Sequence, residues 1–168
     1  MITTNGAQNP RYTVGIGEFV VSSDSAGFLL APNLGSCLGV AIFSPVARVG
    51  GVIHCLLPLS QADPAKAREK PGLYVDTGIM ALLDGVFRLG AQKSRLLIAA
   101  AGAGNINDEK NVFEIGEKNH TIFRKVMWKN GLLIKGENVG NPHSITLSLD
   151  LALGEAAVKS LSGAEKLF

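Results

Sequence analysis

Cys37 follows the small-residue run Leu34-Gly35-Ser36 and precedes the apolar stretch at 38–43. With little bulk at Gly35 and Ser36, a substrate carbonyl can come close to the thiol, and local backbone N–H groups can point at an oxyanion formed on attack. A cysteine is a strong nucleophile only as thiolate, so it needs a base or a positive neighbour. His54, in Val52-Ile53-His54-Cys55-Leu56-Leu57, is the strongest candidate for that base. The same residue types also suit a small core hydrophobe and a packed imidazole, which are the commoner outcomes for each. Spacing alone leaves both readings open.

The elements that would position this pair can be read from the pattern of apolar residues. Residues 38–43 and 49–57 are short apolar runs, ended by Ser44-Pro45 and by Pro58, and read as neighbouring central strands buried on both faces. A hairpin through 45–48 would bring Cys37 and His54 together, while Cys55 would point to the opposite face and into the core. Upstream, residues 12–21 and 28–31 read as a hairpin about the turn chemistry of Ser22-Ser23-Asp24-Ser25-Ala26-Gly27. Residues 60–72, with Pro64, Pro71 and several charges, read as an exposed loop. An amphipathic helix is predicted over 76–89, with Asp76 as N-cap and Gly90 beyond its end, and a second over 115–130, stopped by Gly131. Residues 95–101, 132–137, 143–150 and 155–160 read as further strands. Strands come first and helices are inserted before the final strands, so the expected class is α/β, with helices packed on layered mixed or antiparallel sheets rather than a βαβ series.

The composition narrows the function classes. A chain of 168 residues with 46% hydrophobic and 18% charged residues can bury a core, and fits one domain over 12–168 after a flexible segment at 1–11. The formal net charge is +2 without a run of like charges, which argues against nucleic acid as a partner. No apolar stretch approaches the ~20 residues that span a bilayer, and 1–11 lacks the apolar core of a secretion signal. The expected location is therefore the cytoplasm, where two thiols stay reduced. Cys37 and Cys55 lack zinc-ligand spacing, and Gly102-Ala103-Gly104 lacks the context and the lysine of a phosphate loop, so no metal or organic cofactor is expected. His120, among polar neighbours on the second helix, reads as a solvated surface residue, and His143 has no chemical role.

Leu34-Gly-Ser-Cys-Leu-Gly-Val-Ala-Ile-Phe-Ser-Pro45 followed by Gly50-Gly-Val-Ile-His54-Cys-Leu-Leu-Pro58 closely resembles the signature of the CheD family of chemoreceptor glutamine deamidases. The resemblance continues in Val14-Gly-Ile-Gly-Glu18, Lys70-Pro-Gly-Leu-Tyr-Val-Asp-Thr77 and Ile115-Gly-Glu-Lys-Asn119, and so spans roughly 12–160. It implies a layered fold related to bacterial toxin deamidases and a papain-like thiol mechanism. Cys37 would attack a receptor glutamine amide, with His54 as base and then acid. Methyl-accepting chemoreceptors would be the substrate, methyl ester hydrolysis a related activity, and a CheC-type phosphatase a binding partner.

Two departures from the family pattern matter. A threonine that usually orients the imidazole, six positions before the nucleophile, is Ala31 here. Asn33, two residues on and on the same side of an extended chain, is the expected substitute, unless it only serves the turn before Gly35. The family's Gly-Gly and Gly-Arg elements are not reproduced around Val139-Gly140-Asn141-Pro142-His143-Ser144. An adaptor that has lost turnover but still binds a CheC-type phosphatase or a receptor is the alternative that these departures suggest.

Overall fold

The computed structural model describes residues 10–106 and 114–168. Among the described residues, ten strands form two five-stranded sheets. Strands β1 (Arg11–Thr13), β3 (Phe28–Leu34), β8 (Ile145–Asp150), β9 (Glu155–Ser160) and β10 (Gly163–Lys166) make one sheet, in the order β1-β3-β8-β9-β10. Strands β2 (Phe19–Ser22), β5 (Val49–Cys55), β4 (Leu38–Ser44), β6 (Leu97–Gly102) and β7 (Gly136–Val139) make the other, in the order β2-β5-β4-β6-β7. Each sheet is mixed: β1 pairs with β3 and β6 with β7 in parallel, and the remaining pairs are antiparallel.

Strand alternation sends side chains of the second sheet to two cores. Ala41, Phe43, Val52, Ala99 and Ala101 meet Leu29, Leu147 and Leu149 between the sheets. Val40, Ile42, Ile53, Ile98 and Ala100 face the other way, onto α2 (Val75–Arg88) and α3 (Ile115–Lys129). Burial on both faces explains why β4 and β5 are fully buried along their length and read as continuous apolar runs. The result is the expected α/β layering, sheet on sheet with helices on one outer face.

Several local expectations are corrected. β2 and β3 do not form a hairpin: β2 pairs with β5 and β3 with β8, in different sheets. The 22–27 turn exists, with Asp24 accepting from Ala26 N–H, but its strands find better partners far along the chain. Residues 60–72 are not an open loop but a 3₁₀ turn at Ser60–Ala62, α1 (Pro64–Glu69), and part of a second 3₁₀ turn at Pro71–Leu73. Asp63 caps α1 by accepting from Lys66 N–H, and Pro64 sits at its first position. Asp76 does not cap α2; it lies in the first turn, where its carboxylate accepts from the N–H and hydroxyl of Ser60. β10 was not anticipated. At the other end, Arg11 already belongs to β1 rather than to a flexible leader, and residues 1–9 lie outside the described residues.

Candidate active site

The register between β4 and β5 places Leu38 opposite Cys55 and Gly39 opposite His54. Cys37, one residue before β4, therefore lies diagonally across from His54 on the same face, the one turned toward the first sheet. Both side chains are nearly covered, Cys37 at 7% and His54 at 3% exposure. Cys55 points into the opposite core, as expected, and is fully buried.

The tautomer of His54 follows from its partner. Nδ1 lies 3.3 Å from the carbonyl oxygen of Val14, and a carbonyl can only accept. Nδ1 therefore carries the ring proton, and Nε2 presents a bare lone pair. That nitrogen is buried and, among the described residues, has no hydrogen-bond partner. Burial pushes the imidazole below its ordinary pKa, against smaller upward pulls from the Val14 carbonyl and the charge of Glu18. The Cys37 thiol is pushed up by burial, with a smaller opposing pull from its own backbone N–H. Both shifts favour the uncharged form near neutral pH, and Sγ makes no hydrogen bond to Nε2 among the described residues.

Asn33 does not take the orienting role expected of it. It is exposed and has a left-handed backbone (φ 56), at a bulge where the β3–β8 register shifts between Ala31 and Leu34. The group that holds the ring is the main-chain carbonyl of Val14, on the segment that crosses from β1 in one sheet to β2 in the other. That segment is stitched to His54 by further bonds: Gly17 N–H donates to the His54 carbonyl at 2.7 Å, and His54 N–H to the Glu18 carbonyl at 3.0 Å.

The loop carrying Cys37 is held from behind. Gly104 N–H donates to the Gly35 carbonyl at 2.7 Å, and Ala103 N–H to the Cys37 carbonyl at 2.7 Å. The Asn119 side-chain amide donates to the Ser36 carbonyl at 3.0 Å and to that of Leu56 at 3.1 Å. In a planar trans peptide the N–H points opposite to the carbonyl. With the carbonyls of Gly35 and Ser36 turned toward Gly104 and Asn119, the N–H groups of Ser36 and Cys37 face the other way, and these two can serve an oxyanion. Gly35 itself lies under Ile106, whose Cδ1 would be 2.9 Å from any Cβ at that position. Gly102, at φ 89, must be glycine, because a Cβ there would stand 2.4 Å from the Cys37 carbonyl oxygen.

Three of the residues that organise the site, Val14, Glu18 and Asn119, were assigned no role from sequence. Their signal lay in landmark segments ending at Glu18 and Asn119, but Val14 acts through its backbone and Asn119 through partners distant in sequence. His120 is also corrected: it is half-buried, with Nε2 2.6 Å from Glu137 Oε1, and Arg124 holds the other carboxylate oxygen at 3.2 Å. It borders a cleft of about 270 Å³ lined also by Ala103, Gly104, Glu117 and Gly140. Cys37 and His54 are not among that cleft's lining residues. His143 is exposed. Among the described residues no cluster of three or more His, Cys, Asp or Glu could hold a metal ion, and no helix is long and apolar enough to cross a membrane.

Comparison with known proteins bears on this arrangement. The family model described as CheD chemotactic sensory transduction matches residues 56–160. The chain is 42% identical over 150 residues to "Probable chemoreceptor glutamine deamidase CheD 1" of Syntrophus aciditrophicus (strain SB), covering 89% of this chain and 94% of the relative. It is 40% identical over 141 residues to "Probable chemoreceptor glutamine deamidase CheD" of Solibacter usitatus (strain Ellin6076), covering 84% and 83%. Cys37 and His54 precede the segment matched by the family model, but an alignment covering 89% of this chain must include both. Among solved structures, the hypothetical protein YfiH of Bacillus licheniformis is similar at a TM-score of 0.47 and 13% identity, over 82% of this chain and 61% of that one.

Proposed function

The chain belongs to the CheD family, and from that premise we propose that it hydrolyses glutamine side-chain amides of chemoreceptors to glutamate, using Cys37 as nucleophile and His54 as base. The observation that carries the reading is the state of His54. Its Nδ1–H is engaged by the Val14 carbonyl and its Nε2 is bare, on the sheet face it shares with Cys37. The names of the curated relatives support chemoreceptors as the substrate class.

In the reaction, Nε2 takes the thiol proton as Sγ bonds to the amide carbon. The oxygen becomes an oxyanion facing the N–H groups of Ser36 and Cys37. Collapse breaks the C–N bond, the imidazolium gives its proton to the departing nitrogen, and ammonia leaves a thioester on Cys37. Water, deprotonated by Nε2, attacks the thioester carbon; the C–S bond breaks and the thiolate recovers the proton. Glutamate and free enzyme remain. The neutral resting pair suits a site where the Sγ–Nε2 bond tightens only when substrate is present.

The test is ammonia release from a purified receptor cytoplasmic fragment, with mass spectrometry locating each glutamine converted to glutamate. Cys37→Ala and His54→Ala should each lower the rate by at least about 10³-fold. Undiminished turnover by Cys37→Ala refutes the assignment. The adaptor alternative predicts instead that the wild-type chain binds the receptor or a CheC-type phosphatase and releases no ammonia. What counts against it is that the departure at Ala31, one of the two that motivated it, leaves His54 oriented by Val14.

A further inference from the structure

Glu18 has no assigned role, yet it is the second anchor of the peptide group that holds His54. Its Oε2 accepts from Gly15 N–H at 2.9 Å, while the carbonyl on the other side of that peptide, Val14 C=O, accepts from His54 Nδ1 at 3.3 Å. The two bonds leave one planar unit in opposite directions, so fixing the N–H fixes where the carbonyl points. Glu18 N–H also donates to the Gly15 carbonyl at 2.9 Å, closing a tight turn in which Gly17 has φ 75. This turn gives the carboxylate its short reach back to Gly15.

We propose that Glu18 is a positioning residue for the deamidation reaction, acting on His54 through the Val14–Gly15 peptide: carboxylate to N–H, carbonyl to imidazole. The arrangement resembles the carboxylate of a catalytic triad with one peptide group inserted. Such a chain is charge-assisted at its outer end, and each bond polarises the next, so the Val14 carbonyl becomes a better acceptor for Nδ1–H. It thereby supports the imidazolium that forms when Nε2 takes the thiol proton. The upward pull of Glu18 on the His54 pKa has the sign that such a link requires. The arrangement also accounts for a site that works with Ala31, since orientation comes from the backbone of the sheet-crossing segment.

The inference rests on the proposed function, and the experiment separates the two. Glu18 is exposed, so its replacement removes no core packing. Glu18→Ala should lower kcat for ammonia release about tenfold with KM nearly unchanged, because a positioning residue acts on the base rather than on substrate binding. In long-range ¹⁵N–¹H spectra His54 should pass from a single Nδ1–H tautomer to a mixture. Glu18→Gln keeps an oxygen acceptor, and should hold the single tautomer with kcat within about threefold of wild type. A normal kcat in Glu18→Ala, or a loss of kcat without any change of tautomer, overturns the proposal. Should Glu18→Ala fail to fold, a mixed tautomer in Glu18→Gln overturns it instead. The Cys37→Ala control distinguishes the cases: if that variant stays active, the nucleophile assignment has failed. If it is dead while Glu18→Ala is normal in rate and tautomer, only the peptide link has failed.

Discussion

The side-chain amide of Asn119 donates to the carbonyl oxygen of Ser36 at 3.0 Å and, with its second hydrogen, reaches that of Leu56 at 3.1 Å. One fully buried residue on α3 thus fastens the turn before the nucleophile to the segment just after the base. A helix on the outer layer thereby sets the separation of two strand ends that carry the chemistry. Its Oδ1 has no partner among the described residues, so the amide serves the site as a donor.

Replacing Asn119 should therefore damage both stability and rate. Asn119→Ala leaves the Ser36 and Leu56 carbonyls without this donor and should cost about 2–4 kcal/mol, read as a lowered urea midpoint at constant slope. Asn119→Asp should be worse, because a carboxylate offers no hydrogen to either carbonyl and brings a buried charge. An Asn119→Asp protein as stable as wild type would show that the amide does not hold these loops.

The two thiols should differ sharply toward iodoacetamide. Burial raises both above the ordinary thiol pKa, far more for the wholly enclosed Cys55, where the charges of Cys37 and Asp76 add to the effect. In the folded protein near neutral pH, Cys37 should be modified slowly, its rate climbing about tenfold per pH unit as the thiolate fraction grows, and Cys55 should stay unmodified. Peptide mapping after alkylation identifies the site. Modification of Cys37 should track loss of ammonia release one for one. Inactivation that tracks Cys55 instead would contradict the assignment of the two faces.

The contrast between Cys37 and Cys55 was legible in the sequence, because a strand sends adjacent residues to opposite faces and both runs were plainly apolar. The hairpin that puts Cys37 and His54 on neighbouring strands was legible in the short connection through Pro45, whereas the register that pairs Gly39 with His54 was not. α2 and α3 were legible for a similar reason: their apolar spacing is local. Where partners are distant, the reading failed. Nothing in Phe19–Ser22 says that it pairs with β5 rather than with the strand just after its own turn. β10 is exposed along its whole length, so it carries no alternation to detect. The orienting group of His54 is a main-chain oxygen, which any residue could supply at position 14. Only the crossing of the chain between sheets puts it there.

Acidification should weaken the fold through His54. In the unfolded chain its imidazole titrates near about 6.5, whereas burial lowers that value in the folded protein. Between the two values the unfolded chain binds the proton that the folded chain refuses, so stability rises with pH across the window. The stabilisation relative to the protonated state is complete above about 6.5, falls as pH drops toward the lower folded value, and levels off beneath it. Urea midpoints measured from pH 8 to 5 should show this slope, and His54→Gln should flatten it. An unchanged slope in that variant would mean that other groups carry the acid sensitivity.

Placing at position 31 the threonine expected from the resemblance should bring little. Ala31 is fully buried in the layer between the sheets and pairs with Leu147 across β3 and β8. Ala31 shares the layer between the sheets with Val14 and Cys37, so a hydroxyl at position 31 serves the imidazole only where Nδ1–H is not already engaged. Here the Val14 carbonyl already takes that hydrogen, so the added hydroxyl enters an apolar layer with no vacant donor to serve. Ala31→Thr should therefore cost about 1–3 kcal/mol of stability and raise kcat by less than about threefold. The informative comparison is the double variant with Glu18→Ala. If the peptide link is loosened by losing Glu18, the threonine hydroxyl gains a donor to accept from, and Ala31→Thr should recover much of the lost kcat. A large gain from Ala31→Thr alone would mean instead that the Val14 carbonyl does not hold the imidazole in its working orientation.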